Sequence, residues 1–418
     1  MIRTTSHTTK FSNPGKLEKL NEFINEYRRV SKLILDQIWE NGYSWEFNGN
    51  VYQFDVNQDK LDHPSFIDYK KFDIQTDFSA RVLNSIVMQL CGVIGASVEK
   101  QRKRLYQYSK TPNKLLEKKI FVNKPQKPNL DKLNPELSSN CINIMRVEGE
   151  FDFFLRLRSL GKKYSKISIP IKSHKHSKKY KEFELKNSFL VNEKYVNLRW
   201  EKKVEKRTEG LTIGCDQGKT DVTTFSNSVI PPRFNAHGKS LGSIMIALSK
   251  CKKGSKRFAR KQEERKNFIN WSLNQLNFDN VKQINLEKVW NIGYKNRTSR
   301  LMSHWTNTLI RDKLKRLCEE LGVQVKEQCC TYRSQRCSSC GMVRKSQRKG
   351  KFYKCECGFE IDADLNAALN HEIELPDVSW ELRREQRNRK GFYWLPEGFF
   401  DLSRVEFGVS LTKNQIKI

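Results

Sequence analysis

Cys337-Ser338-Ser339-Cys340, Cys355-Glu356-Cys357-Gly358 and Asp362-Ala363-Asp364-Leu365-Asn366-Ala367-Ala368 follow one another in the last third of the chain. Each cysteine pair is followed by glycine (Gly341, Gly358), and residues 341–354 separate the pairs. Four thiolates in two close pairs suit a tetrahedral Zn²⁺ site, and four cysteines leave no open position, so the metal is expected to be structural. The second pair is Cys-X-Cys where Cys-X-X-Cys is usual, which makes a tighter chelate. Cys329 and Cys330 lie nearby and read as core residues. Asp362 suits a helix N-cap, leaving Asp364 in the first turn as a ligand; the reverse assignment stays open. The small pair Ala367 and Ala368 would let this helix approach a sheet closely.

Two more carboxylates lie upstream at strand ends. Leu211-Thr212-Ile213-Gly214-Cys215-Asp216 reads as a buried strand reaching an acid, and Thr220 to Asn227 as a second strand. Residues 240 to 276 read as one long basic helix or two; the apolar stripe is thin, so the basic segment would lie against RNA or DNA. Val281 to Leu286 is a further strand, ending at Glu287. Trp305 to Leu321 is a helix stopped by Gly322, and Val323 and Val325 open the next strand. Strand, acid, strand, helices, strand, acid, helix, strand, cysteine ribbon, acid and helix is an α/β order that fits an RNase H-like core. Phosphodiester cleavage by divalent ions needs carboxylates converging on one point, and Mg²⁺ prefers carboxylate oxygen with retained waters. Asp216, Glu287 and Asp364 fit that task as an ordered set; an acid after a strand, taken singly, is more often a turn or a cap.

The amino-terminal half reads differently. Residues 2 to 12 form a short strand. Residues 15 to 42 form an amphipathic helix carrying Leu17, Leu20, Phe23, Ile24, Tyr27, Val30, Leu33 and Ile34, ended by Gly42. Residues 43 to 77 look irregular and aromatic (Tyr43, Trp45, Phe47, Tyr52, Phe54, Phe66, Tyr69). A second helix covers about 79 to 108, and residues 110 to 135 form a basic linker. From about 140 to 205, strands such as 151–157, 166–171 and 195–200 suggest a small β-barrel, with His174 to Lys181 as a Lys/His-rich hairpin tip.

Across all 418 residues, Lys+Arg 78 against Asp+Glu 47 gives a formal charge of +31. A surplus this large, spread along the chain, favours a polyanionic partner. The start lacks the apolar core of a secretory signal, and no run reads as a membrane span. The odd count of 11 cysteines, mostly scattered, fits reduced thiols and a metal site inside a cell, not a disulfide framework.

The order of these elements resembles TnpB, the transposon-encoded RNA-guided nuclease, and its compact type V CRISPR-associated relatives. The resemblance is carried by Ile213-Gly214-Cys215-Asp216-Gln217-Gly218, by Asn285-Leu286-Glu287, and by residues 305–370. The most specific parts of that stretch are Gly322-Val323-Gln324-Val325, Ser334-Gln335-Arg336-Cys337-Ser338-Ser339-Cys340-Gly341 and Asp364-Leu365-Asn366-Ala367-Ala368-Leu369-Asn370. The match is specific over about 205–372 and loose before it. It implies a RuvC-like site in which Asp216, Glu287 and Asp364 are catalytic and hold Mg²⁺ or Mn²⁺, with Zn²⁺ on Cys337, Cys340, Cys355 and Cys357. It also implies a guide RNA and a target DNA as partners, in the cytoplasm of a prokaryote and on its nucleoid. Target choice would rest on base pairing plus a short flanking DNA motif. One chain or a homodimer fits equally, as does a transposon or a CRISPR origin. The chain departs from the family at Gln217, where an aliphatic residue is usual, at Arg333, where threonine is usual, in the shortened Cys355/Cys357 pair, and in residues 373–418, which match nothing recognised.

The expected fold is therefore α/β and multidomain. An RNase H-like (RuvC) core with an inserted zinc ribbon joins an amino-terminal β-barrel and a helical recognition domain. The expected boundaries are 1–14 for the first barrel strand, 15–135 for the helical domain and 136–205 for the rest of the barrel. The nuclease core spans 206–332, the ribbon 333–358, the last core segment 359–372 and an extension 373–418. The expected function is RNA-guided DNA endonuclease. Its rivals are a nuclease-inactive RNA-guided DNA-binding repressor, which intact acids weigh against, and an RNA-independent RuvC-type nuclease or transposase, which the basic helical segments and the ribbon's placement weigh against.

Overall fold

Residues 1–37, 45–48, 51–54, 69–110, 127–164, 167–218, 221–289, 301, 307–385 and 387–402 are described by a computed structural model. The chain is an α/β protein of two compact units, Met1–Lys202 and Lys203–Ile418.

In the first unit, Ile2–Thr8 pairs antiparallel with the whole of Tyr195–Glu201, so the two ends of the unit zip together. Ser188–Val191, Glu136–Ser138 and Glu184–Leu185 extend that sheet. A separate meander joins Ile142–Arg146, Phe153–Leu157 and Ile167–Ile171. In its middle strand Phe153, Leu155 and Leu157 are buried in alternation, as a half-buried strand requires. The helices Pro14–Gln37 and Ala80–Lys110 bring Leu20, Phe23, Tyr27, Val30 and Ile34 together with Val82, Ile86, Leu90 and Ile94 in the same core.

Three expectations change here. Ala80–Ser97 is long and apolar enough to cross a membrane by composition, although no such run was expected; its apolar stripe packs in this unit's core. His174 to Lys181 is not a plain hairpin tip: Lys175–Lys178 makes one helical turn, capped reciprocally by His174 and Ser177. Within 43–77, Trp45–Asn48 and Val51–Phe54 pair as a hairpin, and Tyr69–Lys71 is a 3₁₀ turn. The side chains of Trp45, Phe47, Tyr52 and Phe54, together with Tyr43, Phe66, Gly42 and most of the linker, lie outside the described residues.

The second unit is built on a four-stranded sheet in the order Thr223–Phe225, Leu211–Gln217, Val281–Lys288, Gln324–Cys329. The last three strands are parallel, and the first is antiparallel to its neighbour. The period of two sorts each central strand into two faces. Ile213, Cys215, Ile284 and Leu286 point into a core shared with the helices Leu241–Ser249, Lys256–Leu273 and Asn307–Leu321. Gly214, Asp216, Asn285 and Glu287 alternate with them and face the other way, where the helix Ala363–Glu372 packs on the Leu211–Gln217 strand. Acids thus sit inside the strands, not beyond their ends. Gly322 closes the Asn307–Leu321 helix at φ +72°.

The segment 240–276 is two helices, and its apolar face is not thin. Leu241, Ile244, Met245, Leu248, Phe268, Ile269 and Leu273 are buried, while Lys252, Lys253, Lys256, Arg257, Arg260 and Lys266 remain exposed. One side of the pair is therefore core, and only the other is a basic surface.

Gly214 sets the spacing between sheet and helix. A Cβ there would collide with the Ala368 carbonyl oxygen and lie 2.5 Å from the Glu372 nitrogen, both backbone atoms that cannot swing away. Gly214→Ala is expected to destabilise the second unit by about 3 kcal/mol, the upper range for overpacking. Amide exchange along Leu211–Gln217 and Ala363–Glu372, accelerated together, is the measurement.

Candidate active site

The carboxylate site grows from the register of two parallel strands. Gly214 is paired with Asn285 and Cys215 with Leu286, so Asp216 and Glu287 come next on the same face. A carboxylate oxygen of each and an imidazole nitrogen of His371 all lie within 4.8 Å of one another. Both strands hold the end of the helix that carries His371. Gly214 admits it, and Asn285 Nδ2 donates to the Glu372 carbonyl at 3.2 Å. Gln217, a departure from the family pattern, donates through Nε2 to the Glu287 carbonyl at 2.8 Å, tying the two acidic strands together.

Burial and the neighbouring Glu287 and Asp364 carboxylates raise the Asp216 carboxyl well above its usual range. Burial lifts Glu287 to about 7. Burial, with Arg333 adding to it, pushes His371 down to about 3, so its ring is neutral. Its Nδ1 is buried without a hydrogen-bond partner among the described residues.

Asp364 stands in the first helical turn, and Asp362 is the N-cap, its Oδ1 accepting from the Asp364 and Leu365 nitrogens at 3.0 Å each. The Asp364 carboxylate, close enough to Asp216 and Glu287 to raise both, is held by two cations of the cysteine ribbon. Arg348 lies 3.0 Å from one oxygen, and Lys351 pairs with the other. Lys351 also bonds Asp221 at 2.8 Å, and Arg233 lies 3.1 Å from the same Asp221. Acids in mutual repulsion offer the oxygen donors that divalent cations take, and the guanidinium and ammonium groups beside them offset part of that repulsion. Asp221, Lys351, Arg348 and His371 were not singled out in sequence. Only His371 left a readable trace: seven residues beyond Asp364, two helical turns, it falls on the same stripe.

The four ribbon cysteines also converge. The sulfurs of Cys337 and Cys357 are 3.8 Å apart and those of Cys340 and Cys355 are 3.6 Å apart, all four within 4.8 Å. A tetrahedron of sulfurs each about 2.3 Å from a central Zn²⁺ has edges of about 3.8 Å, so the residues fit that ion. Thiol hydrogen bonds from Cys340 and Cys355 pull Cys337 down to about 4, and the same contacts push Cys340 up. Cys329 and Cys330 stay outside the cluster and are half-buried, not core as expected.

Ribbon and helix are one piece. The last ribbon strand, Glu360–Asp362, runs directly into the helix. Asn366 accepts from the Ser338 nitrogen at 3.0 Å and donates to the Arg336 carbonyl at 2.8 Å. Asn370 donates to the Arg333 and Arg336 carbonyls and accepts from Arg336 at 2.6 Å. Arg333, the other departure, is buried and donates to the carbonyls of Cys329, Asn370 and Ile373. Part of the unrecognised extension completes the ribbon: Phe392–Leu395 pairs with Met342–Val343, then with Gly398–Asp401. Trp394 is buried beneath Arg333. Residues 403–418 lie outside the described set.

Comparison with known proteins points to the same stretch. Residues 309–371 match the family model of the TNB domain of Cas12f1-like proteins. The CRISPR-associated endodeoxyribonuclease Cas12f1 of Sulfoacidibacillus thermotolerans is 39% identical over 82 residues, 19% of this chain and 19% of that protein. The aligned stretch thus spans about a fifth of the curated relative it matches. Among solved structures, a Cas12f1–sgRNA–target DNA complex aligns with a TM-score of 0.43 at 14% identity, covering 89% of this chain and 99% of that one. The mini-RNA-guided endonuclease CRISPR-Cas_phi3 aligns with a TM-score of 0.48 at 9% identity, covering 91% and 93%. The resemblance to compact type V effectors is therefore specific over the ribbon-bearing segment.

Two predictions follow from the site's chemistry. The purified chain is expected to carry one tightly held zinc, lost in Cys355→Ser; elemental mass spectrometry of the dialysed protein is the check. Asp216 and Glu287 have raised folded-state values, so the metal-free fold binds more protons than the unfolded chain near neutrality. The contribution of Glu287 to stability is complete below the usual carboxylate range, about 4, and is lost as pH rises through about 7; that of the raised Asp216 carboxyl has the same sign. Amide exchange of Val281–Lys288 without divalent cation should therefore quicken from about pH 6 to about pH 8, more than base catalysis alone explains. Mg²⁺ should reverse it, and Asp216→Asn with Glu287→Gln should flatten it.

Proposed function

We propose that this chain is an RNA-guided DNA endonuclease whose RuvC-like, RNase H-like site hydrolyses phosphodiester bonds. The observation that carries this reading is the convergence of Asp216 and Glu287, on neighbouring parallel strands, beneath the helix begun by Asp364. The relative matched over the ribbon-bearing segment is named an endodeoxyribonuclease, which agrees with that chemistry. The net charge of +31 suits a chain that holds a guide RNA and a target DNA together. Target choice would then come from pairing plus a short flanking DNA motif read by the first unit, whose strands we read as a barrel. The site of action would be the prokaryotic cytoplasm, with one chain or two per guide.

Asp216, Glu287 and Asp364 would hold divalent cations, and Cys337, Cys340, Cys355 and Cys357 would hold Zn²⁺. When bound, the divalent ions supply an activated water and stabilise the leaving oxygen. The chain's own groups prepare the place. Burial holds Asp216 away from bulk solvent, Gln217 fixes the spacing of the two acidic strands, and the ribbon carries Arg348 and Lys351 to the rim. There the two cations offset the acids' repulsion and can turn to the phosphate of an entering strand, a natural partner for guanidinium and ammonium groups.

Expression with the native flanking DNA, followed by sequencing of co-purified RNA, tests guidance. One defined RNA with a structured scaffold and a variable end is expected; heterogeneous cellular RNA would point instead to an RNA-independent nuclease. In cutting assays Asp216→Ala, Glu287→Ala and Asp364→Ala should each lower the rate by about 10³-fold or more with RNA binding kept. Undiminished cutting in all three would remove the site assignment.

A further inference from the structure

His371 occupies a place that an acid-only metal site does not require. It is 1% exposed, and its Nδ1 has no hydrogen-bond partner among the described residues. An unpaired polar atom in a packed interior costs stability, so a buried imidazole of this kind marks either strain or a missing ligand. Its surroundings favour the ligand. An imidazole nitrogen lies within 4.8 Å of carboxylate oxygens of both Asp216 and Glu287, and these oxygens are as close to each other. Three donors at that mutual spacing can surround one ion, because ligand atoms each about 2.1 Å from a cation cannot be more than about 4.2 Å apart and need only small adjustments to close.

The fold also holds the ring there. Gly214 and Asn285 contact the last turn of the Ala363–Glu372 helix, each two residues before one of the acids. Arg333 binds the carbonyls of Asn370 and Ile373 on either side of His371. The backbone that aims the imidazole is thus fixed by both acidic strands and by the ribbon.

We propose that His371 is a nitrogen ligand to the divalent cation that Asp216 and Glu287 bind, and that it biases this site toward Mn²⁺ over Mg²⁺. Mg²⁺ takes oxygen donors and keeps its waters, whereas Mn²⁺, the hardest of the first-row series but a transition ion, gives up water for an imidazole beside carboxylates more readily than Mg²⁺ does. A site of two carboxylates and one imidazole therefore discriminates where one of carboxylates alone would not. The inference rests on the reading of Asp216 and Glu287 as cation ligands.

The test uses the full-length, zinc-loaded chain with Mn²⁺ as the probe, followed by electron paramagnetic resonance and its electron-spin-echo modulation. Wild type is expected to bind Mn²⁺ with ¹⁴N modulation that disappears on [¹⁵N]histidine labelling. His371→Ile, which keeps the buried volume apolar, should lose the modulation. It should also weaken Mn²⁺ binding by about tenfold while changing Mg²⁺ binding by less than about twofold. His371→Asn, smaller and polar, should lose the modulation too, which guards against a folding defect peculiar to one variant. Mn²⁺ bound without nitrogen modulation, but released in Asp216→Ala, would overturn the role of His371 and leave the carboxylate site standing. Mn²⁺ binding indifferent to Asp216 and Glu287 would overturn both.

Discussion

The contact between the Gly214 backbone and the end of the Ala363–Glu372 helix is the constraint on which the second unit turns. The helix can lie on the acidic face of the sheet only because residue 214 has no side chain and residues 367 and 368 have small ones. From that single close approach follow the placement of Asp364 near Asp216 and Glu287 and the reach of His371 to both. The docking of the cysteine knuckle follows too, because Asn366 and Asn370 project from the same helix to the backbone around Arg336 and Ser338. Two sites of different chemistry are positioned by one packing event.

That arrangement is costly for the fold. Placing two carboxylates side by side in a packed interior opposes folding unless protons or cations neutralise them. The ribbon supplies part of the compensation through Arg348 and Lys351, and Asp221 draws Lys351 and Arg233 to the same rim. Groups held against such a cost, on faces where apolar residues would pack better, are the candidates for the chemistry proposed above.

What could be read from sequence was what is local or periodic. The cysteine spacing, the N-cap at Asp362 and the apolar strands 211–216 and 281–286, each reaching an acid, depend on neighbours a few residues away. Asp221 and Lys351 meet across 130 residues, and no periodicity announces such a pair. His371 shares a helical stripe with Asp364, but a histidine on a buried stripe carries no sign of what faces it until the register of the two strands is known. The helices 241–249 and 256–273 looked surface-bound because their lysines and arginines are numerous. The apolar residues between them are concentrated on one side, and that side alone sets the packing. Arg333 and Gln217 were visible as departures; that each ties separate backbone segments together was not.

The hairpin Phe392–Leu395/Gly398–Asp401 lies beyond every motif in the chain, yet its first strand is the central strand of a three-stranded sheet, pairing with Met342–Val343, and its Trp394 carbonyl accepts from Arg336 at 2.7 Å. The four-cysteine module is therefore discontinuous, assembled from residues on both sides of the helix it delivers. Among the described residues it extends at least to Asp401, well past the last of the four cysteines. A shortened chain designed by motif alone would cut through a sheet, and a ribbon excised by its cysteines alone would leave behind the strand it leans on.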